Sequence, residues 1–542
     1  MVYDNDPLTE RENEMQEVYL YLVFGYKLRS MKRISLLPLL FVFIFIQSCS
    51  NTKNATGSNE KIEITIVQIN DVYEIAPLDG GKAGGMARVA TVKKEQQSKN
   101  TNTIMVMAGD FLSPSVYNSL KFEGNRIRGK QMVDAMNTAG VDIAVFGNHE
   151  FDIPEADLQS RINESKFQWV SSNTFQKKGN YILPFENSSG HGLVAFPETY
   201  IRTFTDKDGT TARIGFIGLT LPFNKASYVS YTDVFEAAQK YYDQLKGSCD
   251  AVIAVTHQAM DDDIKLARQI PGLALIIGGH EHERHYAKIG NVYITKADAN
   301  AKSAYIINLK LNKKNKVLKV KANILDVNEK IAFDPATDVV VKKWTDIANK
   351  SYASLGFDAT KVVMQAGEPL DGREAYIRTQ QTNFTKLIVS SMEKASPTAD
   401  AVIINSGSIR VDDILQMPVT QYDVIRSLPF GGSIMEVDMK GSLLIKILNA
   451  GKKNVGSGGF LQYSATLSND NNNWSLKNVP VDASKVYKVA ITDFLMTGGE
   501  ANLDFLTKDN SDMVKVYPVF TDLNDPRSDI RRAIIRYMEE KK

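Results

Sequence analysis

Ile143-Ala144-Val145-Phe146-Gly147-Asn148-His149-Glu150-Phe151-Asp152 is a short apolar run that breaks into a polar cluster. A buried strand ending in this way is where a parallel sheet presents its chemistry, at the carboxyl ends of its strands. Asn148 can offer a neutral oxygen to a metal, His149 can move protons, and Asp152 can hold that imidazole in one tautomer. Asn-His also occurs in ordinary turns, so the stretch gains its weight from what surrounds it. The run 62–69 ends at Asn70-Asp71-Val72-Tyr73, and 104–108 ends at Gly109-Asp110. Further on, 251–255 ends at Thr256-His257, and 273–277 ends at Gly278-Gly279-His280-Glu281-His282. Each is a strand-like run closed by residues of metal-binding type. More strands are expected at 168–172 and 213–219. Helices are expected at 86–96 and 129–139, the second stopped by Gly140. Strands alternating with helices predict an α/β domain with a layered sheet.

A chain of 542 residues is too long for one core and predicts two or three domains. Its net charge of +1 argues against a nucleic-acid partner. Cys49 and Cys249 are the only cysteines, which excludes a disulfide framework. Cys249, just ahead of the 251–255 run, reads as a small buried hydrophobe. The isolated His191 and His285 read as capping or core residues.

Residues 31–49 read MKRISLLPLLFVFIFIQSC. A basic start, a short apolar stretch and a small residue before a cut site make a secretory signal. The apolar run is shorter than the ~20 residues that a membrane span needs. The cysteine at the cut site resembles a bacterial lipoprotein lipobox, which implies that Cys49 is lipidated and anchors the chain to a membrane. Residues 1–30 precede a complete signal, so they are expected to be a non-native extension and Met31 the start. The polar residues 50–60 suit a flexible tether. The expected location is the cell envelope, with the protein periplasmic or displayed at the surface.

The rest divides into a first domain over 61–330 and a helical connector over 331–359, whose amphipathic part is 334–355. A second α/β domain follows over 360–525, and a closing helix over 526–542. The lysine-rich stretch 310–321 is expected to be an edge strand of the first domain.

Asp71, Asp110, Asn148, His257, His280 and His282 form a donor set of one kind. An aspartate can bridge two divalent ions, with imidazole and carboxamide ligands completing each site. The patterns INDVY, AGD, GNHEFD, VTHQ and GGHEH, in that order, resemble the calcineurin-like metallophosphoesterases. The resemblance implies a four-layer αββα sandwich holding two divalent ions (Mn, Zn or Mg) that clamp a phosphoryl group and acidify a water. It implies that Asp110 bridges the ions, with Asp71 and His282 on one and Asn148, His257 and His280 on the other. His149, oriented by Asp152, would protonate the leaving oxygen. One position departs from the family. Its D-x-H reads Asp71-Val72-Tyr73 here, a phenol in place of an imidazole. Tyr73 could ligate an iron(III)-like ion in an iron-containing pair, hydrogen-bond to a bound water, or leave the first site weak.

The second domain contains Arg378, Asn405-Ser406-Gly407-Ser408-Ile409-Arg410, Leu428-Pro429-Phe430-Gly431-Gly432 and Asp493-Phe494 through Gly498-Gly499-Glu500. These resemble the 5'-nucleotidase C-terminal domain. Phe430 and Phe494, in glycine-flanked loops, can sandwich a base. Arg378 and Arg410 can clamp phosphate, Asn405 can bond a base edge, and Glu500 can reach a ribose hydroxyl. The family's aspartate is Glu500 here, and its NGGGIR carries two serines, so the ligand need not be an ordinary nucleoside monophosphate.

These readings together predict an exported two-metal phosphohydrolase, 5'-nucleotidase-like, acting on phosphate esters of nucleotides between its two domains. The alternatives are a metallophosphoesterase for nucleotide sugars or cyclic nucleotides, and a catalytically degenerate nucleotide-binding lipoprotein.

Overall fold

The structure, a computed structural model, describes residues 59–188, 192–223, 226–471 and 473–541. Cys49, the signal and its flanks, and His191 lie outside them. Among the described residues no helix is long and apolar enough to cross a membrane.

Two six-stranded sheets form the centre of the first domain. The first runs, edge to edge, Val317–Asp326, Ser303–Asn312, Lys61–Ile69, Thr103–Ala108, Ile143–Val145, Gln168–Trp169. Its last four strands are parallel, and the Ser303–Asn312 and Val317–Asp326 hairpin closes it antiparallel. The second sheet has Thr211–Thr220, Ala251–His257, Leu275–Gly279 and Val292–Lys296 in parallel, between antiparallel edges Thr199–Thr205 and His285–Ile289. Ile62, Ile64, Ile66 and Val106 of one sheet share a buried cluster with Ile214, Phe216, Ile253 and Ile277 of the other. Helices cover both outer faces. Met86–Lys99 and Lys130–Ala139 lie on the first sheet, and Val234–Leu245 and Met260–Gln269 on the second. Burial on both faces explains why the central strands read as unbroken apolar runs rather than alternating ones. This is the expected αββα sandwich.

The expected elements appear, shifted by a few residues at their ends, and Gly140 caps its helix at φ 77° in the left-handed region. The expected edge strand at 310–321 is corrected. Those residues straddle a hairpin turn that holds Lys313, Lys314 and Lys316, with Lys310 on one strand and Lys319 and Lys321 on the next, which is the sheet's edge.

The helix Pro335–Ser354 begins at Asp334, whose carboxylate accepts from the Thr337 N–H. It is not a free linker. Trp344 is fully buried, meets Phe122 edge-on and donates its indole N–H to Asp134, so the helix forms part of the first domain's outer layer. The second domain is built on a five-stranded sheet ordered Leu461–Tyr463, Ala401–Asn405, Val486–Thr492, Ile434–Lys440, Met513–Val516. The closing helix Ile530–Glu540 buries Ile534 and Met538 in the same apolar cluster as Ile388 and Met392 of helix Asn383–Ala395, as an integral piece of this domain.

Candidate active site

Five strand ends deliver the donor set to one place. Asp71 follows Lys61–Ile69, Asp110 follows Thr103–Ala108, and Asn148 follows Ile143–Val145, all from the first sheet. His257 ends its strand, and His280 and His282 follow Leu275–Gly279, from the second sheet. Asp71, Asp110 and His257 lie with ligand atoms within 4.8 Å of one another, and all three are buried. His257 Nε2 is 3.1 Å from Asp110 Oδ2 and 3.8 Å from Asp71 Oδ1, and His282 Nε2 is 3.5 Å from Asp71 Oδ1. The His257 and His280 rings meet at 5.4 Å between centroids.

These residues fit a metal ion. Asp71 Oδ1, Asn148 Oδ1 and His257 Nε2 are buried polar atoms without a hydrogen-bond partner among the described residues, although native interiors rarely leave such atoms unpaired. The backbone is strained at Asp71 and at three other members of the donor set. Asp71, Asp110, His280 and His282 have φ of 53°, 54°, 96° and 61°, a region that side-chain-bearing residues seldom occupy and that costs ~1–3 kcal/mol each. The His257 Nδ1–H faces the Ala108 carbonyl at 2.8 Å, which leaves Nε2 free for a cation.

The electrostatics agree. Burial alone would pull His257 down, but the carboxylates of Asp110 and Asp71 raise it to about 9. His280 is lowered to about 3 by burial and by its neighbour His257. Carboxylates that hold protons on neighbouring imidazoles offer the same charge to a cation, which would take the protons' place.

Tyr73 falls inside the cluster. Its hydroxyl donates to Asp110 Oδ2 at 3.1 Å and lies 2.8 Å from His282 Nε2. Burial first, and then the Asp110 and Asp71 carboxylates, push this phenol well above its usual range.

His149 opens a short 3-10 turn that ends at Asp152, and the turn brings His149 Nδ1 to 2.6 Å from Asp152 Oδ2. Burial lowers His149, and Asp110 and Asp152 more than offset that. The second domain reaches this pair. Arg410 Nη2 is 3.8 Å from Asp152 Oδ2, and Arg378 pairs with Glu374. A cleft of about 930 Å³ between the domains is lined by His280, His282, Arg378 and Asp412, among others.

Phe430 and Phe494 are exposed at 70% and 46%, unlike core phenylalanines. Their loops are tied together, because the Ser433 N–H donates to Asp493 Oδ2 and the Asp493 N–H to the Ser433 carbonyl. Asn405 is 2% exposed, and its polar atoms are engaged within the protein. Its Nδ2 donates to Glu500 Oε2 at 2.7 Å, and Ser408 Oγ donates to its Oδ1. Of the isolated residues, His285 lines the interdomain cleft without touching the donor set, and Cys249 lies away from it. His285 lies on an edge strand, and Cys249 is half-buried beneath the second sheet rather than fully buried.

Several supporting residues have no counterpart in the sequence reading. Glu150, fully buried, accepts from the backbone N–H groups of Asp110, Phe111, Leu112 and Gly147, so one carboxylate ties two ligand loops together. Burial and the Asp110 charge raise it to about 7. Lys296, 1% exposed, lies 2.6 Å from Glu281 and 3.0 Å from Asp263, and so anchors the loop that carries His280 and His282. Asp412 of the second domain touches His282. Glu150 could have been suspected as the acid inside its hexapeptide. Nothing local marks Lys296 or Asp412.

Comparison with known proteins agrees with this arrangement. The calcineurin-like phosphoesterase family model matches residues 64–284, and that of the 5'-nucleotidase C-terminal domain matches 362–507. The chain is 26% identical over 502 residues to a snake venom 5'-nucleotidase of Naja atra, covering 81% of this chain and 90% of that one. A 5'-nucleotidase precursor from Thermus thermophilus shares the fold, with a TM-score of 0.62 at 23% identity over 89% of this chain and 97% of that one. A sulfate thiohydrolase, SoxB, from the same organism does so with a TM-score of 0.58 at 14% identity, over 88% of this chain and 94% of that one. A fold shared this widely does not choose the ester. The chain is therefore a metal-dependent phosphoric ester hydrolase, a calcineurin-like phosphoesterase domain joined to a 5'-nucleotidase C-terminal domain, as in the 5'-nucleotidase family.

Proposed function

We propose that the protein is an exported two-metal phosphohydrolase that removes phosphate from nucleotides in the cleft between its domains. The observation that carries this is the meeting of two separately supported groups, the anionic donor cluster of one domain and the arginines of the other, with Arg410 3.8 Å from Asp152. Bound divalent ions would supply charge neutralisation and an activated water. In this reading Asp110 would serve both ions, with Asp71, Tyr73 and His282 holding one and Asn148, His257 and His280 the other. His149 gives a proton to the leaving oxygen, and Asp152 on its Nδ1 fixes which nitrogen does so. Arg378 and Arg410 hold the phosphate, and Phe430 and Phe494 stack the base. Cys49 would carry a lipid that fastens the enzyme to the cell envelope.

Tyr73 keeps its proton in the field of Asp110 and Asp71, so only a strongly acidic ion would convert it into a phenolate ligand. Activity with a shifted metal preference is the expected consequence. A visible absorption band lost in Tyr73→Phe would mark iron ligation, and a metal analysis without iron would eliminate it.

Phosphate release from a panel of nucleotides, with Mn, Zn and Fe added separately, tests the proposal. Release with at least one metal, lost in His149→Ala, is expected. Binding without release under every metal would leave a nucleotide-binding protein instead. A second reading, nucleotide sugars or cyclic nucleotides as substrates, is suggested by Asn405 being buried and bonded to Glu500 and Ser408. The same panel extended to those esters decides between the two.

A further inference from the structure

His282 is held from the opposite domain. Its Nδ1 lies 2.7 Å from Asp412 Oδ2 and 3.4 Å from the Asp412 carbonyl. Its Nε2 faces Asp71 Oδ1 at 3.5 Å and the Tyr73 hydroxyl at 2.8 Å. The Asp412 carboxylate is itself clamped, because its other oxygen accepts from the Glu374 N–H. Asp412 also sits at φ 36°, strained backbone that the surrounding structure must hold in place.

A ring nitrogen that donates to a carboxylate fixes the tautomer, aims the other nitrogen's lone pair and makes it a better donor to a metal. Nε2 cannot both accept from Tyr73 and bind a cation. An arriving cation would take the lone pair, and Tyr73 would keep its bond to Asp110. Both partners found for Nδ1 belong to Asp412, so among the described residues the first domain does not orient this imidazole by itself. The apposition of the domains has other supports, Lys302 with Asp413 at 2.6 Å and Arg373 with Glu283 at 2.9 Å.

We propose that Asp412 is a positioning residue for the cation bound by Asp71 and His282, so that this cation is gripped tightly only while the two domains are apposed. The inference rests on the reading above that His282 is a metal ligand. By linkage, a cation that binds the apposed form better also favours apposition.

The test is titration of the metal-free full chain with Mn2+, read by calorimetry and by bound-metal analysis. Asp412→Ala should weaken one equivalent by roughly 10–100-fold and leave the other unchanged. Asp412→Asn, whose amide oxygen still accepts from Nδ1–H, should lie between, and it stands in if the alanine variant misfolds. Asp413→Asn removes an interdomain pair that touches no candidate ligand and should leave both equivalents as they were. Wild-type binding in Asp412→Ala and Asp412→Asn would overturn the inference, as would equal weakening in Asp413→Asn, which would mean that docking in general is what matters. His282→Ala separates the two levels. If it loses one equivalent while Asp412→Ala loses none, only the inference fails. If it keeps both, the ligand reading fails and takes the inference with it.

Discussion

At the scale of single residues, the site depends on groups that fill space as much as on groups that bind. A methyl placed on Gly147 would lie 2.0 Å from Asp110 Oδ1, and one on Gly279 would lie 2.9 Å from Asp71 Oδ2. Gly147→Ala must therefore push Asp110 aside. Displacements of ~1 Å at such centres cost on the order of 100-fold in rate, so kcat/KM should fall at least that far while circular dichroism stays native. Glu150→Ala strips an acceptor from a set of buried N–H groups, and the expected loss is roughly 2–5 kcal/mol in urea unfolding. A urea midpoint equal to wild type would show that water replaces the carboxylate. The donor residues themselves were readable from sequence, because aspartate, asparagine and histidine at strand ends announce their chemistry. Asp412 was not readable. Its meaning lies in a contact 130 residues away in the chain.

At the scale of elements, the helix Pro335–Ser354 shows how local signals and packing divide the work. Its start is written in sequence, Asp334 followed by Pro335, and the structure adds the Lys94 ammonium against the Asp334 carboxylate. Burial raises the Asp334 pKa, but Lys94 and Thr337 outweigh it and the net shift is downward. A depressed carboxylate contributes stability that is present above its unfolded pKa and lost as pH falls through the folded value. Asp334→Ala should thus cost ~1–2 kcal/mol at neutral pH, with the difference from wild type shrinking as acid unfolding is approached. An unchanged gap in strong acid would assign the effect to packing. The helix reads as a connector because its amphipathic pattern does not say what its apolar side meets. The structure puts Trp344 against Phe122, on the first domain. Lysines at 310–321 hide a hairpin in the same way, since the polar turn runs on without a break into a largely exposed edge strand.

At the scale of the whole molecule, the domains meet through charge pairs and through the candidate site residues His282 and Asp152. If Arg410 serves phosphate from across the cleft, Arg410→Ala should lower kcat/KM roughly 10–100-fold, the value of a hydrogen bond to a charged group, with Mn2+ affinity unchanged. A fall in Mn2+ affinity as well would point to a role in docking. Phe494→Ala should weaken nucleotide binding by ~1–3 kcal/mol and leave hydrolysis of a small phosphate ester lacking a base unaffected.

The apolar runs and the donor residues after them pointed to a layered α/β domain, and the order of the motifs, by resemblance, to the sandwich and a metal-dependent hydrolase, because each signal is local. A buried strand needs apolar residues, and donor-type residues lie at or just past the ends of five of these. Which side chains brace those donor residues, where Asn405 and Glu500 place their hydrogen bonds, and that His282 leans on the other domain depend on segments far apart in the chain. Such pairings leave no trace in spacing or composition. Those within one domain come into being as that domain folds, and the His282–Asp412 contact only when the two domains pack, since only then do these groups share one charged volume.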